Sequence, residues 1–394
     1  LYARTGDKRL VEFGGKIHRN TADWTKSTQL PNWHNVNIAQ CFREPATYYM
    51  FSGDRAMVDA TYNVYSLIRR AFGQMPGGMF AGDENSRIGF FDPRQGTETC
   101  GFAEQMASDE ILMLITGDSM WAENCEDVAF NSYPAAFMPD MRSLRYITAP
   151  NQTVSDSENH NPGIDNRGPF LSMNPFSSRC CQHNHGFAWP YYSQYLVMAT
   201  QDNGLAVELY SDCEAKAKVA DGKEVTLKEE THYPFEEQVR FTVSTSADVR
   251  FPLYLRIPSW CKGATISVNG RKAGVVLEAG SHARIDRVWA DGDVVTELGN
   301  CRVGYFAGEV NDSVGTAVCV SYSCGVVTGF ADGHCIVVGV SAAEFSLGHA
   351  EAAGSVLYFT VGIERTSCYE EVLYTVKVMG GHRYAVGGNA GSHN

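Results

Sequence analysis

The pattern of apolar and polar positions changes near residue 200. Before it, apolar residues recur at helical spacing, and the runs are punctuated three times in one manner: Arg4-Thr5-Gly6-Asp7, Phe51-Ser52-Gly53-Asp54 and Ile115-Thr116-Gly117-Asp118. Glycine suits the left-handed residue that closes a helix, and aspartate accepts from the free amides that open the next one. Each mark predicts a helix–turn–helix joint, and three of them predict stacked helical hairpins. Helices are expected over about 35–51, 54–72, 98–115, 119–137 and 185–200. Hairpins set in a ring form an α/α toroid with its active site where the loops converge. The long polar stretches 73–97 and 143–180 are the loops expected to carry function.

Beyond that boundary the period shortens to two. Leu205–Tyr210, Glu224–Glu229, Gln238–Ser244, Phe251–Ile257 and Ala264–Val268 read as strands, several with strict alternation. Asp202-Asn203-Gly204, Asp221-Gly222 and Asn269-Gly270 supply the turns between them. Strands at this spacing predict a β-sandwich. Further β-branched runs follow at Thr316–Ser321, Cys335–Val340, Val356–Val361 and Val372–Val378. The expected fold class is therefore α+β multidomain. An (α/α) toroid over residues 1–200 would lead into a sandwich over 201–300, with 301–394 a further β-rich domain or an extension of it. Helical pattern is already under way at Leu1, so the toroid is expected to lack its first helices in this chain.

Composition narrows the partners. With 38 Gly, 20 Phe and 19 Tyr in 394 residues, the chain is globular with a large β component. A formal net charge of −13 argues against nucleic acid or an anionic membrane as partner and fits a neutral small substrate. No apolar run is long enough to span a bilayer. No signal peptide is read in the sequence, so a periplasmic, secreted or cytoplasmic location is equally open. The twelve cysteines are irregularly spaced, and a chain of this length does not need staples. Nucleotide loops, HExxH and GxSxG are absent from the sequence.

The candidate chemistry lies in three places. Glu98-Thr99-Cys100 opens a helical run, where amide groups and the helix dipole favour anionic side chains. Cys180-Cys181 follows a loop and precedes His183 and His185. Adjacent cysteines rarely bridge each other, so metal binding or catalysis is the better reading of that pair. Three thiols and a carboxylate would hold Zn2+ tetrahedrally, with His183 or His185 as alternatives to Glu98 for the fourth position. The bland reading is a first-turn charge, a buried small residue and hydrogen-bonding histidines. Glu84 sits in a Gly-flanked loop beside Asp83, Asn85 and Arg87, either as a solvated turn or as a general acid.

At these residues the sequence resembles glycoside hydrolase family 127, the β-L-arabinofuranosidase family. His34-Asn35-Val36-Asn37-Ile38-Ala39-Gln40, Phe42-Arg43-Glu44-Pro45 and Gly82-Asp83-Glu84-Asn85 carry the resemblance. So do Asp92-Pro93-Arg94-Gln95-Gly96-Thr97-Glu98-Thr99-Cys100 and Cys180-Cys181-Gln182-His183-Asn184-His185-Gly186. Leu253-Tyr254-Leu255-Arg256-Ile257-Pro258-Ser259-Trp260, Val268-Asn269-Gly270 and Trp289-Ala290-Asp291-Gly292-Asp293 resemble its β-domain. The likeness runs over about residues 30–300 and is weak in the tail. Gln182-His183 follow the paired cysteines where family members often carry prolines.

The resemblance implies that Glu98, Cys100, Cys180 and Cys181 bind zinc, that Cys180 is the nucleophile and that Glu84 is the acid/base. It also implies that His34, Glu126 and Tyr146 line the sugar site. A retaining hydrolase of terminal β-L-arabinofuranosyl or related furanosyl residues of plant-type glycans is then expected. Its partner would be an oligosaccharide or glycan, without nucleic acid or membrane insertion, and a homodimer through the β-domain fits such architectures. Two alternatives stand beside it. One is a non-catalytic glycan-binding or structural protein with a structural zinc. The other is a hydrolase of the same class for an acidic furanose or an anhydrosugar.

Overall fold

A computed structural model describes residues 2–30, 34–72, 78–80, 82, 96–138, 142, 144–148, 171–172, 179–261 and 263–299, together with the strands of the tail. The helices are α1 (Tyr2–Thr5), α2 (Lys8–Arg19), α3 (Asn35–Cys41), α4 (Glu44–Ser52), α5 (Ala56–Phe72), α6 (Thr99–Thr116), α7 (Ser119–Asp127) and α8 (Arg179–Gln194). All three Gly-Asp joints form as the pattern requires. Gly6, Gly53 and Gly117 have φ of 68°, 68° and 66°. The carboxylates that follow accept from the amides of Arg9, Ala56 and Met120 at 3.0, 3.1 and 3.0 Å. Tyr62 of α5 donates to Asp118 at 2.8 Å, which ties the third joint to the neighbouring hairpin.

Three expected helices differ in their limits. The run 35–51 is two helices, because Pro45 lacks an amide and fits only the first turn of a new one. The run 119–137 leaves α-geometry after Asp127, with a π-turn over Val128–Ser132 and a 3-10 turn over Pro134–Ala136. The last helix begins at Arg179 and contains the paired cysteines in its first turn, and Val197–Ala199 is already a strand.

Helix α6 is buried from Thr99 to Glu110 without interruption, polar residues included, and packs against α3, α4, α7 and α8. The core around it centres on Trp121, whose ring lies 5.1 to 6.0 Å from those of Tyr65, Tyr62 and Phe42. Full burial of one such side chain contributes roughly 1.5–3 kcal/mol, so this cluster anchors the helical region.

Short strands β1 (Thr97–Glu98), β2 (Leu144–Arg145), β3 (Ile147–Thr148) and β4 (Leu171–Ser172) lie among the helices. The sandwich strands are β5 (Val197–Ala199), β6 (Leu205–Val207), β7 (Cys213–Val219), β8 (Lys223–Thr231), β9 (Gln238–Thr245) and β10 (Val249–Ile257). They continue as β11 (Thr265–Val268), β12 (Arg271–Lys272), β13 (Ser281–Trp289) and β14 (Asp293–Leu298). One sheet has the order β13-β10-β6-β5 and the other β12-β11-β14-β9-β8-β7. Val239, Phe241 and Val243 from one sheet and Phe251, Leu253 and Leu255 from the other share a single buried core. Asn269 and Gly270, with φ of 50° and 73°, make the tight turn between β11 and β12 that Asn-Gly predicts.

Helix α7 is fastened to the sandwich. Glu123 accepts from the amide and hydroxyl of Ser259, both at 2.5 Å, and Ser119 donates to the Gly280 carbonyl at 2.8 Å. Residues 1–302 accordingly form one compact unit, and 303–394 form another. The second unit contains a meander over Phe306–Ala307, Cys319–Ser323, Val326–Ala331 and His334–Gly339. It also contains an antiparallel sheet built from Glu344–Leu347, Glu351–Ala352, Val356–Glu364, Leu373–Met379 and Arg383–Asn389. Cys261 is disulfide-bonded, and Cys41, Cys100, Cys125, Cys180, Cys181 and Cys213 are free thiols. No helix among the described residues is long and apolar enough to cross a membrane.

Candidate active site

The site begins where a strand turns into a helix. Gly82 N donates to Gly96 O at 3.1 Å, and Glu98 N donates to Gly82 O at 2.9 Å. Gly82 and Gly96 therefore meet beside Glu98. On the other side β1 pairs antiparallel with β3, placing Glu98 opposite Ile147. A side chain at Gly96 has no room, since a Cβ there would lie 2.3 Å from Ile147 Cγ2. Glu98 is extended, with φ −70° and ψ 139°, and caps α6. Thr99 donates from its amide to Tyr146 O at 3.0 Å and from its hydroxyl to Arg145 O at 2.6 Å. Arg145 in turn donates from Nη1 to Phe137 O at 3.0 Å. The start of α6 is thus held from both sides.

Cys100 stands in the first turn of α6, and Cys180 and Cys181 in the first turn of α8. The N-termini of two packed helices therefore present the three thiols, where amides and dipoles favour thiolate. Cys100 Sγ and Cys181 Sγ are 3.2 Å apart, and the Sγ atoms of Cys181 and Cys180 lie 3.4 and 3.7 Å from Glu98 Oε1. One donor atom from each of the four residues lies within 4.8 Å of every other. Tetrahedral zinc with bonds to sulfur of about 2.3 Å separates its donors by about 3.8 Å. Three thiols and one carboxylate at this spacing fit such an ion. They are also a soft donor set that suits zinc over calcium or magnesium.

The four residues differ in access. Cys181, Cys100 and Glu98 are 0%, 1% and 1% exposed, whereas Cys180 faces solvent. Hydrogen bonds with Cys181, then with Cys100, pull the Cys180 thiol down to about 5 against the cost of its burial. Cys181 is pushed the other way, because it gives its hydrogen bonds to Cys100 and Cys180 and is buried beside Glu98. Cys100 receives a hydrogen bond from Cys181, yet burial and the Glu98 charge outweigh it and raise the thiol to about 11.

The remaining expected residues are distributed as follows. His34 is half-buried at the N-cap of α3, directly before Asn35, whose side chain reaches the Glu98 carbonyl. Tyr146 is buried between β2 and β3, with its carbonyl on Thr99. Glu84 lies outside the described residues, two positions along the chain from Gly82. Glu126 is buried near the end of α7. It accepts from Arg256 Nη2 at 2.5 Å, from Tyr233 Oη at 2.8 Å and from Tyr210 N at 3.4 Å. For the fourth ligand position, Glu98 is the group brought to the thiols, and neither His183 nor His185 belongs to the four-donor set. His183 is exposed. The His185 ring meets Phe137 edge-on, and its carbonyl accepts from Tyr133 Oη at 2.7 Å.

Sequence reasoning missed Asn35, Arg145 and Tyr133 as supports, and Arg256 as the partner of Glu126. For Arg256 the alternation of β10 pointed the other way. It places Arg256 on the face opposite Phe251, Leu253 and Leu255, where a charge is normally solvated, and that face is covered by helix α7 and residues 208–210 instead.

Comparison with known proteins adds to this geometry. The model of the β-L-arabinofuranosidase catalytic domain of glycoside hydrolase family 127 matches residues 1–194, and that of the family's middle domain matches residues 204–298. The chain belongs to glycoside hydrolase family 127. It is similar in structure to a family 127 β-L-arabinofuranosidase from Geobacillus stearothermophilus T6, with a TM-score of 0.66 and 19% identity, over 99% of this chain and 67% of that one. A second family 127 β-arabinofuranosidase gives a TM-score of 0.65 at 17% identity, over 98% and 63%. A protein described as a glycoside hydrolase gives 0.67 at 17%, over 98% and 68%. At these identities the likeness shows the fold, a helical barrel region followed by β-domains. The chain spans about two thirds of the length of these structures. No curated protein matches it. As a family 127 member the chain is a glycoside hydrolase, and its substrate class is a glycan.

Proposed function

We propose that this family 127 hydrolase removes terminal β-L-arabinofuranosyl, or related furanosyl, residues from plant-type glycans with retention of configuration. Cys180 is its nucleophile and Glu84 its acid/base. Glu98, Cys100, Cys180 and Cys181 hold a zinc ion. The observation that carries this reading is the contrast within the four-donor set: three members are sealed in the core and Cys180 alone is open to a substrate. A purely structural site has no need of that asymmetry. When bound, zinc supplies a Lewis acid that keeps the sulfurs deprotonated at neutral pH and fixed in direction.

Retention needs two displacements at the anomeric carbon. In the first, the Cys180 sulfur forms a bond to that carbon as the glycosidic C–O bond breaks, and Glu84 gives its proton to the departing oxygen. In the second, Glu84 takes a proton from water, the water oxygen bonds to the anomeric carbon, and Cys180 leaves as thiolate. Glu84 is two residues along the chain from Gly82, which is hydrogen-bonded to Gly96 and to Glu98. His34 and Tyr146, next to the two segments that fix the start of α6, are the proposed walls of the sugar site. The test is hydrolysis of an aryl β-L-arabinofuranoside alongside elemental analysis. One zinc per chain is expected, with turnover abolished in Cys180→Ser and Glu84→Gln. Full activity in either variant would overturn the assignment of that residue.

A further inference from the structure

We propose that Asn35 is the positioning residue of the four-donor set, fixing Glu98 and Cys100 without touching a ligand atom itself. The inference rests on the zinc reading above. Asn35 is the first residue of α3 and is fully buried. Its Nδ2 lies 3.4 Å from the backbone carbonyl of Glu98, 63 residues away in sequence. Its amide also fills the space over the residue that follows Cys100: a Cβ added to Gly101 would meet Asn35 Nδ2 at 2.2 Å and Cγ at 2.9 Å. One side chain therefore touches the residues on either side of Thr99 and Cys100, at the carbonyl of one and the Cα of the other.

The contact completes a frame around Glu98. Gly82 O receives the Glu98 amide, Tyr146 O receives the Thr99 amide, and Asn35 approaches the Glu98 carbonyl between them. With these backbone groups held, the Cα–Cβ direction of Glu98 is set before any ion arrives. His34 immediately precedes Asn35, so the same contact spaces a proposed sugar-site wall from the ligands. Packing alone does not account for an asparagine here. Its Oδ1 is buried and makes no hydrogen bond among the described residues, which costs stability. A leucine of similar volume would escape that cost but would lack the donor.

A second contact joins the same two helices and serves as the control. Ser108 Oγ donates to Ala39 O at 2.6 Å and accepts from Arg43 Nη1 at 3.2 Å, more than two turns along α6 from the ligands.

The test is zinc affinity of the full chain by chelator competition, with the thermal midpoint measured on the same samples. Variants Asn35→Leu and Gly101→Ala are expected to bind zinc about tenfold to a hundredfold more weakly than the unmodified protein, the range typical of residues that orient metal ligands. Ser108→Ala is expected to lower the midpoint while its affinity stays within about twofold, as a support remote from the ligands would. Affinity within that range in folded Asn35→Leu would overturn the proposal and leave the zinc site standing. If Asn35→Leu does not fold, Gly101→Ala decides by the same criterion. An unmodified chain that binds no zinc would overturn both readings.

Discussion

The sulfurs of Cys100 and Cys181 stand 3.2 Å apart at the N-termini of two packed helices, 81 residues apart in sequence. A disulfide requires about 2.05 Å, a further approach of about 1 Å. Metal coordination opposes it, because both sulfurs then serve as ligands at their own bond lengths. Chelator-treated protein exposed to peroxide should therefore be oxidised first at the exposed Cys180 thiolate, whose sulfenic acid condenses with a neighbouring thiol of the set. Two titratable thiols are lost, the peptide carrying Cys100 becomes linked to the one carrying Cys180 and Cys181, and the peroxide is reduced to water. Zinc-loaded protein under the same conditions should keep all its thiols. Peptide mapping by mass spectrometry after alkylation separates the two outcomes, and equal thiol loss with and without zinc would count against the shared site.

Cys180 gives a pH signature. Hydrogen bonds from Cys181 and its neighbours hold the thiol at about 5, below its ordinary value of 9.0. Because the folded value is depressed, its contribution to stability is present above the unfolded value and is lost as pH falls through about 5. Thiolate is also the form that reacts with alkylating agents. In metal-free protein, the rate of Cys180 alkylation by iodoacetamide should be nearly flat from neutral pH down to about 6, then fall through about 5. An ordinary exposed thiol would already be losing reactivity below pH about 8. A profile of that ordinary kind would show that the neighbouring thiols do not support the charge.

Much of this was legible in the chain, for identifiable reasons. Gly6-Asp7, Gly53-Asp54 and Gly117-Asp118 could be read because a left-handed glycine and a side-chain cap are local requirements. Strands β9 and β10 could be read because Val, Phe, Leu and Ile alternate in them. Strand β7 escaped, since Cys-Glu-Ala-Lys-Ala-Lys-Val pairs weak strand formers with charges that suit the exposed edge it occupies. The ligand set was legible as residue types, but its closure depends on α6 packing on α8. Asn35 lay within a stretch that carries the resemblance, but nothing in the chain showed this role. A buried amide acting on a backbone carbonyl 63 residues away has no local pattern.

Buried carboxyls in the helical core make stability fall as pH rises. Glu110 of α6 is sealed beside Cys125, and burial raises its carboxyl to about 9 against the partial relief of the Cys125 thiol and Arg43. Its Oε2 makes no hydrogen bond among the described residues. A folded value above the unfolded one contributes stability that is complete below the unfolded value of 4.5 and is lost as pH climbs through about 9. Glu110→Gln keeps the shape and removes the proton equilibrium. Its urea midpoint should match the parent near pH 5 and exceed it near pH 8 by an amount worth about 1 kcal/mol or more. A constant difference between the two pH values would mean that Glu110 is ionised in the fold.

The pair Arg256–Glu126 offers the sharpest test of how the sandwich is joined to the helices. Arg256 is completely buried, with Nη2 on Glu126 Oε1 and Nε on the Glu208 carbonyl, both at 2.5 Å. Tyr210 stands against it, its ring 5.1 Å from the guanidinium carbon and its hydroxyl on the Arg256 carbonyl. Glu126 would be left buried without its countercharge if Arg256 were shortened, and breaking a buried pair from one side costs about 3–5 kcal/mol. Arg256→Met should therefore lower stability by that order in urea unfolding, far more than a surface arginine would. Removing the charge on both sides avoids the orphan. Arg256→Met combined with Glu126→Gln should recover at least about half of the loss, because the glutamine can still accept from Tyr233. Additive losses in the double variant would show that the two side chains stabilise the junction independently, and the ion pair would then not be what holds α7 to the sandwich.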